Sequence, residues 1–409
     1  MLRGAGYESE IIVETADPRL ESFTVDYQEM VHEIGPEDLL IHHFSIGSRA
    51  SRTAYALPAR MMLIYHNITP PEFFLGVHPQ LVKQCYHGRR ELTAYRDRVE
   101  LALGDSEFNR QELEALGFAP TAVLPVVPDF SHLDGAPDPR VLAAYDDEWT
   151  NILFVGRLIP NKRPDDVIRF FHAYKTLYNP RARLILAGSY TGFEPYLAQL
   201  HTLVARLGVK DVHIIGQITN AELAGLYECA DLFLCASEHE GFCVPLIESF
   251  HKRIPVLAYA CTAIPATMDG GGVLYDRKAP AHVAALMHAL VSDAALADRV
   301  LEAHDHVAAA RRASARPGGA ADSLCERVVH GRGRGGGTGG DEGMRHLKVA
   351  LVGGAGFVGC HLAARLAAER REVVIVTRRR EHAKALTMLP GLRIVEADGR
   401  RADALAAAT

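Results

Sequence analysis

The chain has 409 residues, enough for two or three domains that each bury a core of their own. With 48% hydrophobic and 23% charged residues it is neither a fibrous nor a wholly disordered chain. A formal net charge of -6 supplies no overall basic field, which excludes a dedicated nucleic-acid binder and leaves any phosphate contact to a local site.

Seven cysteines (Cys85, Cys229, Cys235, Cys243, Cys261, Cys325, Cys360) are odd in number, scattered and without a C-x-x-C pair, the usage of a reducing compartment. Met1 is followed by LRGAGYESE, which lacks the apolar run of a secretory signal. No stretch approaches the roughly 20 apolar residues of a membrane span. A cytoplasmic protein without a transmembrane segment is expected, with peripheral membrane contact left open.

Short apolar runs rich in β-branched residues alternate with amphipathic stretches, the rhythm of parallel sheets wrapped by helices, so the class is α/β. In the first block, strands are predicted at 9–14, 38–44, 61–68, 99–104 and 121–127. Asp105 and Ser106 can cap the helix EFNRQELEALGF. A loop rich in Pro, Asp and Gly (VPDFSHLDGAPDPR) leads to a second series with strands NILFVG, RLILAG, VHIIG, DLFLCAS, PVLAY and GVLY. Two nucleotide-type domains, 1–147 and 148–299, follow from this.

From about Val300 to Met344 the rhythm stops. AAARRASARPGGAADS and HGRGRGGGTGGDEG cannot bury enough apolar area to order themselves, and 300–344 reads as a linker. A third pattern, KVALVGGAGFVGCHLAARLAAERREVVIVTRRR, occupies 345–409.

The chemistry concentrates in DLFLCASEHEGFCVPLIESF. A strand ends in a small-residue turn and re-enters a helix at Pro245, a residue suited to the first helical turn. The N–H groups of Gly241, Phe242 and Cys243, with Val244 in the same turn and the helix dipole behind them, make a diphosphate site at the carboxyl edge of the strands. Glu240 in the loop can accept hydrogen bonds from sugar hydroxyls. Glu248, read as lying in the first helical turn, can hold the two hydroxyls of a ribose. Either acid alone is commonplace; their joint placement carries the reading. In VGRLIPNKRPDD, Arg157 and Lys162 lie five apart on the loop that follows Gly156. If that loop faces the same cleft, their charges neutralise a departing diphosphate. His66 stands at the carboxyl end of a first-domain strand and can look across an interdomain cleft. His42 and His43 are weaker candidates on that side, with structural roles favoured. Gly188 with Ser189, and Gly216 with Gln217, close strands where backbone can approach a ligand, or are ordinary tight turns.

The SEHEGF loop, both acids, the Gly-Phe pair and Pro245 together resemble the paired-glutamate motif of the family 4 retaining glycosyltransferases. The resemblance covers most of Gly6 to about Asp293 and implies the GT-B fold of two Rossmann-like domains. It implies transfer of a hexose from a nucleoside diphosphate sugar, with retention and without a metal, to a sugar, polysaccharide or lipid-linked acceptor. Arg157 and Lys162 then stabilise the leaving diphosphate, Glu240 and His66 place the sugar, the latter through its backbone carbonyl or its ring, and Glu248 holds the ribose. The Gly216 segment lies beside the base.

In the resembled family the first domain opens with a strand and a Gly-rich turn. Here Met1 falls in what reads as the end of the first helix, so that central strand is expected to be missing, leaving two unpaired edges. From Leu347 the chain resembles the start of an extended short-chain dehydrogenase or NAD(P)-binding epimerase. Gly353, Gly356 and Gly359 follow a strand and open a helix. Arg378 and Arg379 stand where a 2′-phosphate would, which points to NADP, and Asp398 faces the adenine side. About 65 residues cannot cover both faces of a sheet, so tight cofactor binding is not expected there. Two rival readings remain: an NAD(P)-dependent sugar-nucleotide epimerase or dehydrogenase, and an inactive nucleotide-sugar-binding fusion.

Overall fold

The computed structural model describes residues 8–18, 20–126, 128–314, 348–352, 373–377 and 392–396. Strands β1 (Glu8–Val13), β2 (Thr24–Asp26), β3 (Leu39–Phe44), β4 (Arg60–Tyr65), β5 (Leu101–Gly104) and β6 (Thr121–Val123) belong to the first domain. Strands β7 (Thr150–Val155), β8 (Ala182–Ala187), β9 (Val212–Gly216), β10 (Leu232–Cys235), β11 (Val256–Tyr259) and β12 (Val273–Tyr275) form the second. Three further strands follow: β13 (Lys348–Val352), β14 (Val373–Thr377) and β15 (Leu392–Glu396).

The pairings are parallel throughout, and helices cover the sheet faces. That is why the strands read as nearly continuous apolar runs: every residue of β8 is buried, as are five of the six in β4. In the second domain the spatial order is β12-β11-β10-β7-β8-β9. The chain walks outward from β7 to β9, then returns to lay β10 on the other flank of β7. The carboxyl ends of β7 and β10 therefore flank a topological switch point, the place where open α/β sheets bind ligands.

In the first domain the order is β2-β1-β13-β3-β4-β5-β6. The central position expected to be empty is filled by β13, which pairs in parallel with β1 (Ile12 opposite Val352) and with β3 (Val352 opposite His42). The first strand of the region read as a truncated Rossmann fragment thus lies in the first-domain sheet. β14 and β15 pair with each other in a separate two-stranded sheet.

Local signals are met where the sequence places them. Ser106 caps the helix Glu107–Ala115 by accepting from the Asn109 N–H at 3.2 Å. Thr219 and Glu222 form a reciprocal capping box on Asn220–Glu228. Four expectations change. The strand expected at 61–68 ends at Tyr65 and that at 121–127 at Val123. The stretch from 300, expected as linker, begins inside a helix, Ala294–Ser314, that packs on Val244–His251. Strand β2 was not foreseen; three residues carry no periodicity.

The domains meet through rings. Phe193 of the second packs against Phe74 and His78 of the first, with centroids 5.9 and 5.0 Å apart. His239 sits between Phe73 and Phe108 at 6.1 and 5.9 Å.

His42 is 1% exposed, stacked on Tyr95 at 5.2 Å, with neither ring nitrogen hydrogen-bonded. Burial, with His66 adding to it, lowers its pKa to about 4. The folded value lies below the unfolded one, so the unfolded chain takes up the proton first. Stability is then undiminished above pH about 6.5 and is lost as pH falls toward the folded value, by about 1–2 kcal/mol from this residue between pH 6.5 and 5. Replacing His42 by Phe is expected to shrink the fall in Tm between pH 7 and pH 5, measured by thermal denaturation. An unchanged fall would remove His42 as its source.

Candidate active site

The loop after β7 and the loop after β10 are built as one unit. Asn161 joins them twice: its carbonyl accepts from the Glu238 N–H at 2.8 Å, and its side-chain amide donates to the His239 carbonyl at 3.1 Å. From behind, Lys278 donates to the Ala236 carbonyl at 2.8 Å, Glu238 Oε1 at 2.8 Å and Asp166 Oδ2 at 3.0 Å. Thr262 Oγ1 accepts from the Glu240 N–H at 3.0 Å. The loop conformation is thus set before any ligand arrives.

On this frame Lys162, at the end of the short 3-10 turn Pro160–Lys162, donates to Glu240 Oε1 at 2.6 Å. Glu240 is only 8% exposed. Burial works against the Lys162 ammonium, but the Glu240 carboxylate more than offsets it, and the pKa ends above the ordinary lysine range. Gly156 keeps the turn open beneath: a Cβ there would stand 3.2 Å from Lys162 Cδ. At Gly188 a Cβ would lie 2.0 Å from the Gly156 carbonyl oxygen, and φ is +147°. Its glycine is therefore explained by the approach of the β7 and β8 ends to each other.

The helix after the turn is Val244–His251, entered from Cys243 in the left-handed region (φ 72°), with Pro245 in its first turn. Glu248 consequently lies one turn further in than expected. It is 7% exposed; its Oε2 accepts from the Tyr227 hydroxyl at 2.8 Å and its Oε1 from His132 Nε2 at 3.0 Å. His132 Nδ1 also faces an acceptor, the Asp129 carbonyl, at 2.9 Å. A hydrogen bond to Cys235, burial and the nearby Glu240 carboxylate push the Cys243 thiol well above the usual cysteine range.

Lys162 and Glu240 are thus paired directly, Glu248 is held by Tyr227 and His132 instead, and the Arg157 side chain leaves the Lys162 loop in another direction. Its guanidinium stacks over Phe193 at 5.4 Å, with Nη2 3.4 Å from the Thr191 carbonyl, and it is exposed. Ser189 bonds within its own turn to Thr191, and Gln217 is exposed at the β9 end. Phe242 is buried in the second-domain core. Gly353, Gly356, Gly359, Arg378 and Asp398 lie outside the described residues.

Across the cleft, the carboxyl ends of β3, β4 and β5 carry a chain of side chains. Asp105 Oδ2 accepts from His66 Nδ1 at 2.8 Å, and His43 Nδ1 lies 2.8 Å from His66 Nε2. With the carboxylate as acceptor, the arrangement assigns His66 the Nδ1–H tautomer and makes His43 the donor to its Nε2. Burial, with help from His66, lowers the His43 pKa to about 3 and keeps that ring neutral. Both His66 nitrogens are therefore occupied. What His66 presents to the second domain is its carbonyl: a Cβ on Gly241 would stand 3.2 Å from it and 2.6 Å from Asn67 Cβ.

Sequence reasoning missed Asn161, Lys278, Tyr227, His132 and Asp105 as site-building residues. Asn161 adjoins a residue it did select. Lys278, in the loop after β12, carries no local signal, since its role comes from sheet order alone.

Two parallel-sheet domains that meet at the carboxyl ends of β4 and β10 define a GT-B architecture. Residues 138–306 match the family described as glycosyl transferases group 1. Residues 349–409 match the NAD dependent epimerase/dehydratase family. Among curated relatives, O-antigen chain mannosyltransferase B of Escherichia coli is 26% identical over 271 residues, covering 63% of this chain and 65% of its own. A D-inositol 3-phosphate glycosyltransferase of Streptomyces bingchenggensis is 32% identical over 158 residues, covering 36% and 34%. The chain thus spans less than two thirds of the length of these relatives. Among solved structures, a glycosyltransferase from Rickettsia africae superposes with a TM-score of 0.56 at 15% identity, over 74% of this chain and 85% of that one. Anabaena HepE in complex with UDP and glucose gives 0.53 at 17%, over 74% and 85%. The fold is shared with both.

Breaking a buried ion pair from one side strands a charge, at about 3 kcal/mol or more, whereas removing both partners costs less than the sum. Lys162→Met and Glu240→Gln are each expected to destabilise the chain, with the double variant recovering part of the loss, in a double-mutant cycle by denaturant unfolding. Additive losses would show that the pair contributes nothing. Gly241→Ala is expected to push the domains apart and enlarge the radius of gyration in small-angle scattering; an unchanged radius with unchanged stability would mean that Asn67 simply yields.

Proposed function

We propose that the chain is a retaining glycosyltransferase that moves a hexose from a nucleoside diphosphate sugar to an acceptor hydroxyl without a metal. The observation that carries this reading is the buried Lys162–Glu240 pair at the β7/β10 switch point, a cation and a sugar-binding carboxylate held on one rigid frame. The family match at 138–306 supports it, as does the HepE complex, in which a protein of the same fold holds UDP and glucose.

In this mechanism the diphosphate lies over the Gly241–Val244 turn with Lys162 beside it. Glu240 accepts from sugar hydroxyls, and the His66 carbonyl takes one more from the opposite domain. Glu248, held by Tyr227, exchanges its His132 contact for the ribose hydroxyls. Arg157 turns from Phe193 to the diphosphate. The acceptor oxygen attacks the anomeric carbon on the face from which the phosphate oxygen departs, and the hydroxyl proton passes to that oxygen. Charge developing on the diphosphate is met by Lys162 and Arg157, the electrostatic task a divalent cation otherwise performs.

The acceptor side is the first domain. A cavity of about 560 Å³ at its carboxyl edge is lined by Glu14, Arg49, Arg52, Lys83, His87 and Glu91, charges of both signs that suit a polar sugar, polysaccharide or lipid-linked head group. Among the described residues no single helix is long and apolar enough to cross a membrane. The free cysteines there accord with a cytoplasmic setting. An NADP site in 345–409 rests on the epimerase family match, on the motif of Gly353, Gly356 and Gly359, and on Arg378 and Arg379.

The test is a thermal-shift screen with UDP-, GDP- and ADP-sugars, followed by donor hydrolysis and transfer assays. One nucleotide sugar is expected to stabilise the chain. Arg157→Ala, an exposed change, is expected to leave Tm within a degree and lower kcat about 100-fold. Stabilisation without turnover would leave a nucleotide-sugar-binding protein. Stabilisation by NADPH alone would favour an oxidoreductase.

A further inference from the structure

We propose that Lys348–Val352 is a sheet-completing strand that this chain donates to its own first domain, and that the acceptor half of the cleft is held together by it. The observation is positional. β1 and β3 each form a ladder with β13, Glu8 to Ile12 opposite Lys348 to Val352 on one side and Leu39 to His42 opposite Val349 to Val352 on the other. The sheet order places no other strand between them. Without β13 the seven-stranded sheet divides into a pair, β2-β1, and a block, β3-β4-β5-β6. Both halves would then present an unsatisfied row of backbone N–H and C=O groups at the centre of the domain.

The two halves are the walls of the acceptor-side cavity. Glu14, just after β1, reaches over the carboxyl end of β13 to the helix after β3. Its Oε1 accepts from Arg49 Nε at 3.0 Å, and its Oε2 from the backbone N–H groups of Arg49 and Ala50 at 2.9 and 3.2 Å. That contact spans the gap at its rim, and β13 fills the gap beneath. β3 also carries His43, the far member of the Asp105–His66–His43 chain.

The strand suits the slot. KVALV is apolar and β-branched enough for a strand buried on both faces, and a parallel neighbour must arrive through a long crossover. Residues 315–347 separate it from the helix Ala294–Ser314 and, extended, reach on the order of 100 Å, ample for closure within one chain. The same segment opens the epimerase-like region, yet β14 and β15 pair without it. The chain therefore commits this strand to the transferase.

The experiment uses the full chain. Proline at 350 removes a ladder N–H from a strand paired on both sides, so Ala350→Pro is expected to speed amide exchange of β1 and β3 peptides at least tenfold while β7 peptides stay protected. Ile375→Pro in β14 is expected to leave β1 and β3 unchanged. Should Ala350→Pro prevent folding altogether, a second variant decides. Ser9 and Val349 are register partners, one strand spacing apart and within disulfide range, so Ser9→Cys with Val349→Cys is expected to give an intrachain disulfide peptide by mass spectrometry under mild oxidation. Wild-type protection of β1 and β3 in Ala350→Pro would overturn the proposal. So would an interchain disulfide or protection that falls on dilution, which would assign the strand to a second copy.

Discussion

The contact on which the donor half depends is the 2.6 Å ion pair between Lys162 and Glu240. It joins residues separated by 78 positions because the second sheet reverses direction between β7 and β10, and only the loops after those two strands can meet there. Two charges so nearly removed from water are costly unless their geometry is held. The holding is done by Asn161, which bonds both loops, by Thr262 on the Glu240 N–H, and by the Lys278 ammonium on the carbonyl of Ala236. Glu240 in turn keeps the Lys162 ammonium charged and in place.

The same constraint shapes the cleft. Gly241 follows Glu240 directly and lies so close to Asn67 that a single added carbon would collide with it. The two domains can approach to this distance only because residue 241 lacks a side chain and Asn67 accepts a left-handed backbone (φ 75°). The approach brings the His66 carbonyl to the donor turn while the ring stays tied to Asp105 and His43. Position at a strand end marked His66 in the sequence; its partners on β3 and after β5 decided which atom of it faces the cleft.

Legibility follows the range of the determinants. Alternation of apolar and polar stretches exposed every strand of the second domain, since each is an apolar run bounded by turns and the central ones are fully buried, and the SEHEGF loop stood out because its acids, glycine and proline lie close together in sequence. Asn161, Lys278, Tyr227 and His132 were illegible: each acts on a residue brought to it by sheet order, 40 to 116 positions away in the case of Lys278 and His132. The span from 300 misled in the other direction. Its alanines and arginines look too poor in apolar side chains to order, yet alanine is the best helix former, and the helix to Ser314 gains a packing surface on Val244–His251.

The two halves of the cleft therefore rest on different kinds of support. The donor half is contiguous, with its sheet, loops and buried pair contained in residues 138–306. The acceptor half is discontinuous, because Ile12 pairs with Val352, about 340 positions away. Closing so long a loop costs about 2 kcal/mol more than closing one of 30 residues, a modest excess against the two ladders it completes. The penalty falls more heavily on the order of events: β1 and β3 cannot be joined until the far end of the chain has been made. The donor domain can consequently reach its final form while the acceptor domain still waits for its middle strand.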